Sequence, residues 1–165
     1  MKKITVDLSD AGLRKLSKEL EMTRKELNRK AQELVDRLAA EGVEIAQFYF
    51  DIGVYDGVKD AKVRFEKRGD RCTAVIAEGN SVLFLEFGAG YLLGYGHPEP
   101  LDYGPGTYPG KGHWDDPNGW YLPKAVQAET GIEHSIGNPP TAAMYNAEKE
   151  LEQRIQQIAQ EVFAD

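Results

Sequence analysis

Apolar positions recur at helical spacing over most of the first fifty residues. Leucines over residues 13–20 follow Ser9, a residue type that caps helices, and predict a short first helix. A capping-box pattern at 23–26 predicts that a second, long helix begins there. Gly42 lies on the apolar stripe of this long helix, where glycine costs about 1 kcal/mol relative to alanine, so we expect another element to cross closely. The stripe consists of Leu27, Ala31, Leu34, Val35, Leu38, Gly42, Ile45, Ala46 and Tyr49.

Shorter apolar segments predict a small antiparallel sheet. Residues 4–8 alternate between apolar and polar, as a short edge strand does, and residues 62–66 alternate in the same way. Residues 72–77 are apolar with small side chains, and residues 82–87 are apolar on both faces. Turn residues separate the last three segments, so we predict a three-stranded β-meander.

A final helix is predicted after two consecutive prolines, with Thr141 as its cap. Its apolar stripe is either a coiled-coil seam or the face of a helix docked on its own sheet, and barely three heptads favour docking. The predicted fold class is therefore α+β: a small antiparallel β-meander packed by a long N-terminal helix and a C-terminal helix. The stripe consists of Ala147, Leu151, Ile155, Ile158 and Val162.

The composition changes sharply in the middle of the chain. All eight prolines and 11 of the 17 glycines lie between residues 88 and 140, together with both tryptophans and all three histidines. Disordered linkers are poor in aromatic residues, so we expect this segment to order against its own scaffold or a neighbouring subunit. We predict a single α+β domain over residues 1–165, with a scaffold of 1–87 and 139–165 and a Gly/Pro/aromatic-rich loop excursion of 88–138.

The charge balance argues against a protein that coats nucleic-acid phosphates. The chain has 20 Lys and Arg against 27 Asp and Glu, a net charge of −7. Basic residues in 14–37 interleave with glutamates, which favours a solvated helix face over a nucleic-acid contact. No apolar run is long enough to span a membrane, and the first residues do not form a secretory signal. We expect a soluble, intracellularly made protein with no membrane partner and no sequence-specific nucleic acid.

Searches for catalytic motifs give one weak candidate. Histidine and carboxylate side chains at His113, Asp115 and Asp116, with His97 and His134 elsewhere in the excursion, could hold zinc or manganese. They would make a loop-built, metal-dependent hydrolase the alternative function. The same acidic segment is rich in turn-forming residues, and we favour the turn. We therefore predict no enzyme, no metal and no cofactor.

Two isolated residues have competing interpretations. Cys72 lies in an apolar segment with no local base, which favours a buried, inert thiol over a nucleophile. Glu86 is a carboxylate within an apolar run. It is either a general base or an inter-subunit partner for a cation, or a residue that reaches solvent or a local backbone amide.

The segment Leu85 to Gly90 contains the motif Glu-Phe-Gly-x-Gly. The position of this motif in the chain resembles its position in a known family. The chain is similar over nearly its whole length to the neck or minor tail proteins of long-tailed bacteriophages, the gene-product-ten-like proteins of HK-type lambdoid phages. That family has an N-terminal helix, a β-meander, a strand ending in Glu-Phe-Gly-Thr-Gly, a variable loop, and a proline-led final helix. The chain departs from it at Ala89, where threonine is usual, and in its longer loop.

The resemblance implies a structural virion protein without catalytic residues, acting in head–tail joining or tail completion. It implies rings of identical subunits that contact neighbouring head-completion and tail proteins. It also implies that the protein is located in the virion and, before assembly, in the host cytoplasm. Aromatic side chains are favoured at interfaces, so we expect the excursion to lie at one. The predicted interface residues are Glu86, Phe87, Gly88, Gly90, Tyr103, Tyr108, Trp114 and Trp120.

Overall fold

The fold is α+β, as predicted, and is organised around one long helix. The computed structural model describes residues 5, 7–69, 72–94, 96–99 and 116–164. In chain order the elements are α1 (Asp10–Ile52), β1 (Lys62–Lys67), β2 (Thr73–Glu78), α2 (Val82–Phe87), β3 (Trp120–Tyr121), α3 (Lys124–Thr130), β4 (His134–Ser135) and α4 (Ala143–Phe163).

Helix α1 begins where the sequence predicts but has no break. The Ser9 hydroxyl accepts a hydrogen bond from the amide of Gly12 at 3.2 Å, which confirms the predicted cap. The second start predicted at 23–26 is wrong, because α1 is continuous and the Thr23 hydroxyl donates to the carbonyl of Glu19 inside it. No glycine or proline interrupts this stretch, so each added residue extends the existing helix at lower cost than a new nucleus.

Helices α1 and α4 pack antiparallel and in close contact. A Cβ added at Gly42 would lie 3.0 Å from Leu151 of α4 and 3.2 Å from Val75 of β2. Nearer the end of α4, Arg37 donates to the carboxylate of Glu161. These contacts confirm the predicted close crossing at Gly42. The C-terminal helix is docked, but mainly on α1 and not on the sheet as predicted.

The sheet beside α1 is a hairpin of two strands, β1 and β2, paired antiparallel. The third strand predicted at 82–87 is wrong, because these residues form helix α2. An apolar run of this length does not distinguish a strand from a buried helix. The helix is favoured because Asp60 accepts hydrogen bonds from the amides of Asn80 and Ser81, each at 2.8 Å, just before α2. These contacts hold the chain in a turn at the point where it enters the helix.

The hydrophobic core lies where the C-terminal end of α1 meets α2 and the start of α4. Phe50 is 1% exposed and Leu85 is fully buried, and Val82 and Ala143 complete the cluster. The core therefore supports the segment that follows α2.

The second half of the excursion is regular where it is described. Strands β3 and β4 pair antiparallel with Trp120 opposite Ser135. Helix α3 connects the two strands along the chain. The Ser135 hydroxyl donates to Asp56 at 2.7 Å, which ties this unit to the loop after α1. The predicted loop excursion therefore contains short regular elements in residues 120–135, while residues 100–115 lie outside the described residues.

Two smaller expectations also differ from the structure. Cys72 is exposed, not buried, because it precedes β2 in the hairpin connection, where its carbonyl accepts from the amide of Arg68 at 2.8 Å. The strand predicted at 4–8 lies partly outside the described residues, and Asp7 and Leu8 are not in a strand. The Asp7 carboxylate accepts from the amide of Ser9, so this segment forms a turn into α1.

Candidate functional site

The two ends of the excursion meet directly after α2. The amide of Ala89 donates to the carbonyl of Asn138 and the amide of Asn138 to the carbonyl of Ala89, both at 2.9 Å. The Asn138 side chain also donates to the carbonyl of Phe84 at 2.7 Å. Residues 86–90 and 136–141 thus form a closed structure, which we call the excursion base.

Both glycines of the motif are required by close backbone approaches in the excursion base. Gly88 has φ +79° and Gly90 has φ +89°, values that favour glycine. A Cβ at Gly88 would lie 2.9 Å from the ring of Pro140, and one at Gly90 would lie 2.5 Å from the carbonyl oxygen of Ile136. The spacing of the motif therefore follows from the packing of the two ends against each other.

Glu86, the first residue of the excursion base, caps helix α4. Its side chain is buried, and its carboxylate accepts hydrogen bonds from the amides of Met144 at 2.8 Å and Tyr145 at 3.3 Å. A carboxylate is favoured at a helix N-terminus, where amide groups lack partners within the helix. The predicted cap, Thr141, is wrong, because its hydroxyl donates to the carbonyl of Leu85. The sequence interpretation of a local backbone amide is therefore wrong in its partner, because the amides that Glu86 binds lie 58 and 59 residues further along the chain.

His97 packs against this cap. Its Nε2 lies 3.3 Å from the carboxylate of Glu86, and its ring centroid lies 4.8 Å from that of Phe87 and 5.9 Å from that of Tyr145. The side chains of His97 and Glu86 are both more than nine-tenths buried. His97, a candidate metal ligand from the sequence, therefore lies on the cap of α4.

A pocket of about 410 Å³ lies beside His97, between α1, β2 and α4. Apolar side chains, among them Val75, Met144 and Leu151, form much of its wall. The ionisable groups at its edge include Glu86 and His97, which already contact each other. The arrangement therefore offers a mostly apolar cleft. Of the three glutamates that line it, Glu86 binds the backbone of α4, and Glu99 and Glu148 are exposed.

Three consecutive apolar residues project from the excursion base. Tyr91, Leu92 and Leu93 follow Gly90 in a turn that the amide of Gly94 closes by donating to the carbonyl of Gly90 at 3.0 Å. All three are exposed, and Leu92 has 58% of its surface accessible. We call Tyr91, Leu92 and Leu93 the apolar knob. These three residues are not among the interface residues predicted from the sequence.

The residues of the predicted metal site do not come together where they are described. Asp116 forms a turn, since its carboxylate accepts from the amide of Asn118 at 2.8 Å, and His134 packs edge-to-face with Tyr121. His113 and Asp115 lie outside the described residues. Within the described ranges, no group of three or more metal-ligating side chains occurs.

The predicted interface residues divide into three sets. Glu86, Phe87, Gly88 and Gly90 come together in the excursion base. Trp120 is 7% exposed within its own chain, so little of its ring is accessible to another chain. The remaining predicted interface residues lie outside the described residues: Tyr103, Tyr108 and Trp114.

Comparisons with known proteins add no assignment. No protein-family model, no curated protein and no solved structure matches the chain. Among the helices that the structure describes, none has the length and hydropathy needed to cross a membrane. The residues of the chain and their contacts are therefore the basis for its function.

Proposed function

We propose that the chain is a structural virion protein of a tailed bacteriophage or prophage. It acts at the neck or tail, in head–tail joining or tail completion, and assembles into a ring of identical subunits that contacts neighbouring head-completion and tail proteins. The role is not enzymatic and needs no cofactor. The observation that carries the proposal is the apolar knob, held in the solvent by the hydrogen-bonded excursion base.

The contacts of the motif support a structural role for it. Glu86 binds two backbone amides of α4, and the glycines allow the two ends of the excursion to touch. These groups position a projecting segment, which is what a subunit needs in order to reach its neighbour. A nucleophile paired with a base is not required to explain the motif.

The position of the knob supports assembly. Contiguous exposed apolar side chains on a turn are unfavourable in water unless another surface covers them. In a ring, each subunit presents one patch to a different patch of the next subunit. Leu92 and its neighbours fit the projecting patch, because the excursion base fixes their position relative to the core.

The substitution Leu92→Glu tests the knob. Because Leu92 is exposed, the variant should fold as the parent does, while ring formation and tail joining in reconstituted particles should be lost. Val54→Glu is the matched control, since Val54 is also exposed but lies in the loop after α1. Tail joining by the Leu92→Glu variant at the parental level would contradict the proposal.

The excursion residues outside the described ranges need a separate test. Replacing residues 101–114 by a Gly/Ser segment of equal length removes Tyr103, Tyr108 and Trp114 while keeping the chain connected. We expect fewer joined particles by electron microscopy, since aromatic side chains supply much of the energy at interfaces. Unchanged joining would leave the knob as the contact and contradict a role for these three residues.

A further inference from the structure

The first half of α1 projects beyond the rest of the described structure. From the start of the helix to residue 29 no residue is buried, and the first buried residue is Lys30. Helix α4 runs antiparallel beside the second half and ends at Phe163, two residues after the contact between Glu161 and Arg37. Residues 10–29 therefore form an arm roughly 30 Å long at 1.5 Å per residue.

The arm has an apolar face that continues the one covered by α4. At 100° per residue, Leu13, Leu16 and Leu27 all lie within about 40° of the direction of Leu20. Gly42, which meets Leu151 of α4, lies in the same sector. The same stripe thus runs on past the end of α4, and its outer leucines at 13, 20 and 27 are about half exposed.

The apolar pattern of this stripe is nearly symmetrical about Ser17. Leu13 and Leu20 lie four and three residues on either side of it. A two-fold, antiparallel pair of arms requires such self-complementarity, because each residue meets the symmetry-related position of the other chain. Pairing about Ser17 places Leu13 against Leu20 of the partner, and Leu20 against Leu13 of the partner.

The charges beside the stripe follow the same symmetry. Asp10 and Arg24 each lie seven residues from Ser17, on the same side of the stripe. Among the described residues neither has an ion-pair partner, whereas Lys25 on the outer face pairs with Glu21 at 2.8 Å. Antiparallel pairing places each Asp10 beside the partner's Arg24, so opposite charges meet at both ends of the contact.

The position of α4 decides the direction of the pairing. A parallel partner would have to continue along the stripe past Lys30, where α4 already packs on α1. An antiparallel partner takes the place that α4 leaves free and extends the same helix-against-helix packing. Its own folded body then lies at the far end of the arm, where it does not collide with the first.

We propose that the arm, residues 10–29, binds a second copy of this chain as a two-fold, antiparallel helical pair centred on Ser17. This contact is separate from the apolar knob and does not depend on the proposed role in the virion. The chain then has two contact surfaces at opposite ends of its fold. The arm binds the same arm of a second copy, whereas the apolar knob binds a different surface of the neighbouring subunit.

Charge reversal tests this pairing on the purified full chain by sedimentation equilibrium. The parent should have twice the mass of the 18.4 kDa chain. Asp10→Arg and Arg24→Asp should each weaken the dimer roughly tenfold, since each replaces two attractive pairs by two repulsive ones. Mixing the two variants should restore dimers, because the charges are again opposite at both ends of a mixed pair. A mixture that stays as monomeric as its components would overturn the proposal.

The apolar seam is tested with a matched pair of substitutions. Leu20→Glu should abolish the dimer, whereas Met22→Glu should not, because Met22 is exposed on the opposite face of the arm. Circular dichroism should show equal helix content in both variants when they are folded. The knob variant Leu92→Glu should still form the dimer, which separates failure of this pairing from failure of the proposed function. A parent chain that is monomeric at about 100 μM would also overturn the pairing.

Discussion

The two halves of α1 share one apolar stripe but differ in what covers it. From Lys30 to Ile52 the helix packs against α4 and the β1–β2 hairpin. This half contains all the buried residues of α1. From Asp10 to Arg29 the stripe continues with no described element over it. The comparison shows that helical periodicity identifies a face to be buried but does not identify the chain that buries it.

The largest predicted effect contrasts two phenylalanines in one turn of the covered half. Phe50→Ala should lower the free energy of unfolding by about 3–5 kcal/mol, because Phe50 is almost fully buried in the core. Phe48→Ala should change it by about 0.5 kcal/mol or less, because Phe48 is 58% exposed. Urea unfolding of both variants measures the difference, and equal losses would show that the core lies elsewhere.

A larger side chain at Gly42 should also separate the two halves. Gly42→Leu should cost about 1–3 kcal/mol, because the new side chain meets Leu151 and Val75 where α4 crosses. Ser17→Leu, in the uncovered half, should not destabilise the monomer, since nothing described packs there. Thermal unfolding of dilute protein compares the two, and a stabilised Gly42→Leu variant would contradict the close crossing.

Asp60 holds the segment that leads into α2 and so into the core beside the covered half. Burial acts to raise the pKa of Asp60, but hydrogen bonds from Asn80 and Ser81 outweigh it and lower the pKa to about 2. A lowered pKa stabilises the fold above about pH 4 and loses that contribution as the pH falls towards 2.

Asp60→Asn should therefore cost about 1–2 kcal/mol at neutral pH. The difference in stability between the parent and the variant should shrink between about pH 4 and pH 2, as the parent's carboxylate becomes protonated. Unfolding curves across this range provide the measurement. A difference that is independent of pH would show that the charge of Asp60 is not involved.

The smallest predicted effect lies in the arm. Leu20→Ala should change the stability of the dilute monomer by about 0.5 kcal/mol or less, because no described residue packs on Leu20. A loss as large as that of a core leucine, about 2–5 kcal/mol, would mean that the arm is covered within its own chain.

The regular elements that local patterns specify could be predicted from the sequence. The capped start at Ser9, the hairpin of β1 and β2, and the close crossing at Gly42 follow from capping, alternation and a glycine on an apolar stripe. Residues 82–87 could not be assigned, because their helical state depends on Asp60, which lies some twenty residues earlier. The exposure of Cys72 depends likewise on where the hairpin turns.

The candidate site was predictable only in part. The motif around Glu86 could be recognised, but its role as the cap of α4 requires knowledge of a contact across 58 residues of sequence. Local rules assigned that role to Thr141, the nearest hydroxyl. The knob carried a signal, three apolar residues directly after Gly90, although its exposure depends on how the excursion base closes. The role of residues 88–138 at a subunit interface remains a prediction.

The distance between spin labels on two copies of the arm tests the central claim most directly, namely that α1 leaves half of its stripe for a second chain. Labels at Ser17→Cys, in a Cys72→Ser background, should lie within about 20 Å of each other, because both are at the centre of the pair. Labels at Lys25→Cys should lie farther apart, by roughly 24 Å along the helix axes alone. Equal distances at the two positions, or no measurable coupling at either, would contradict the account.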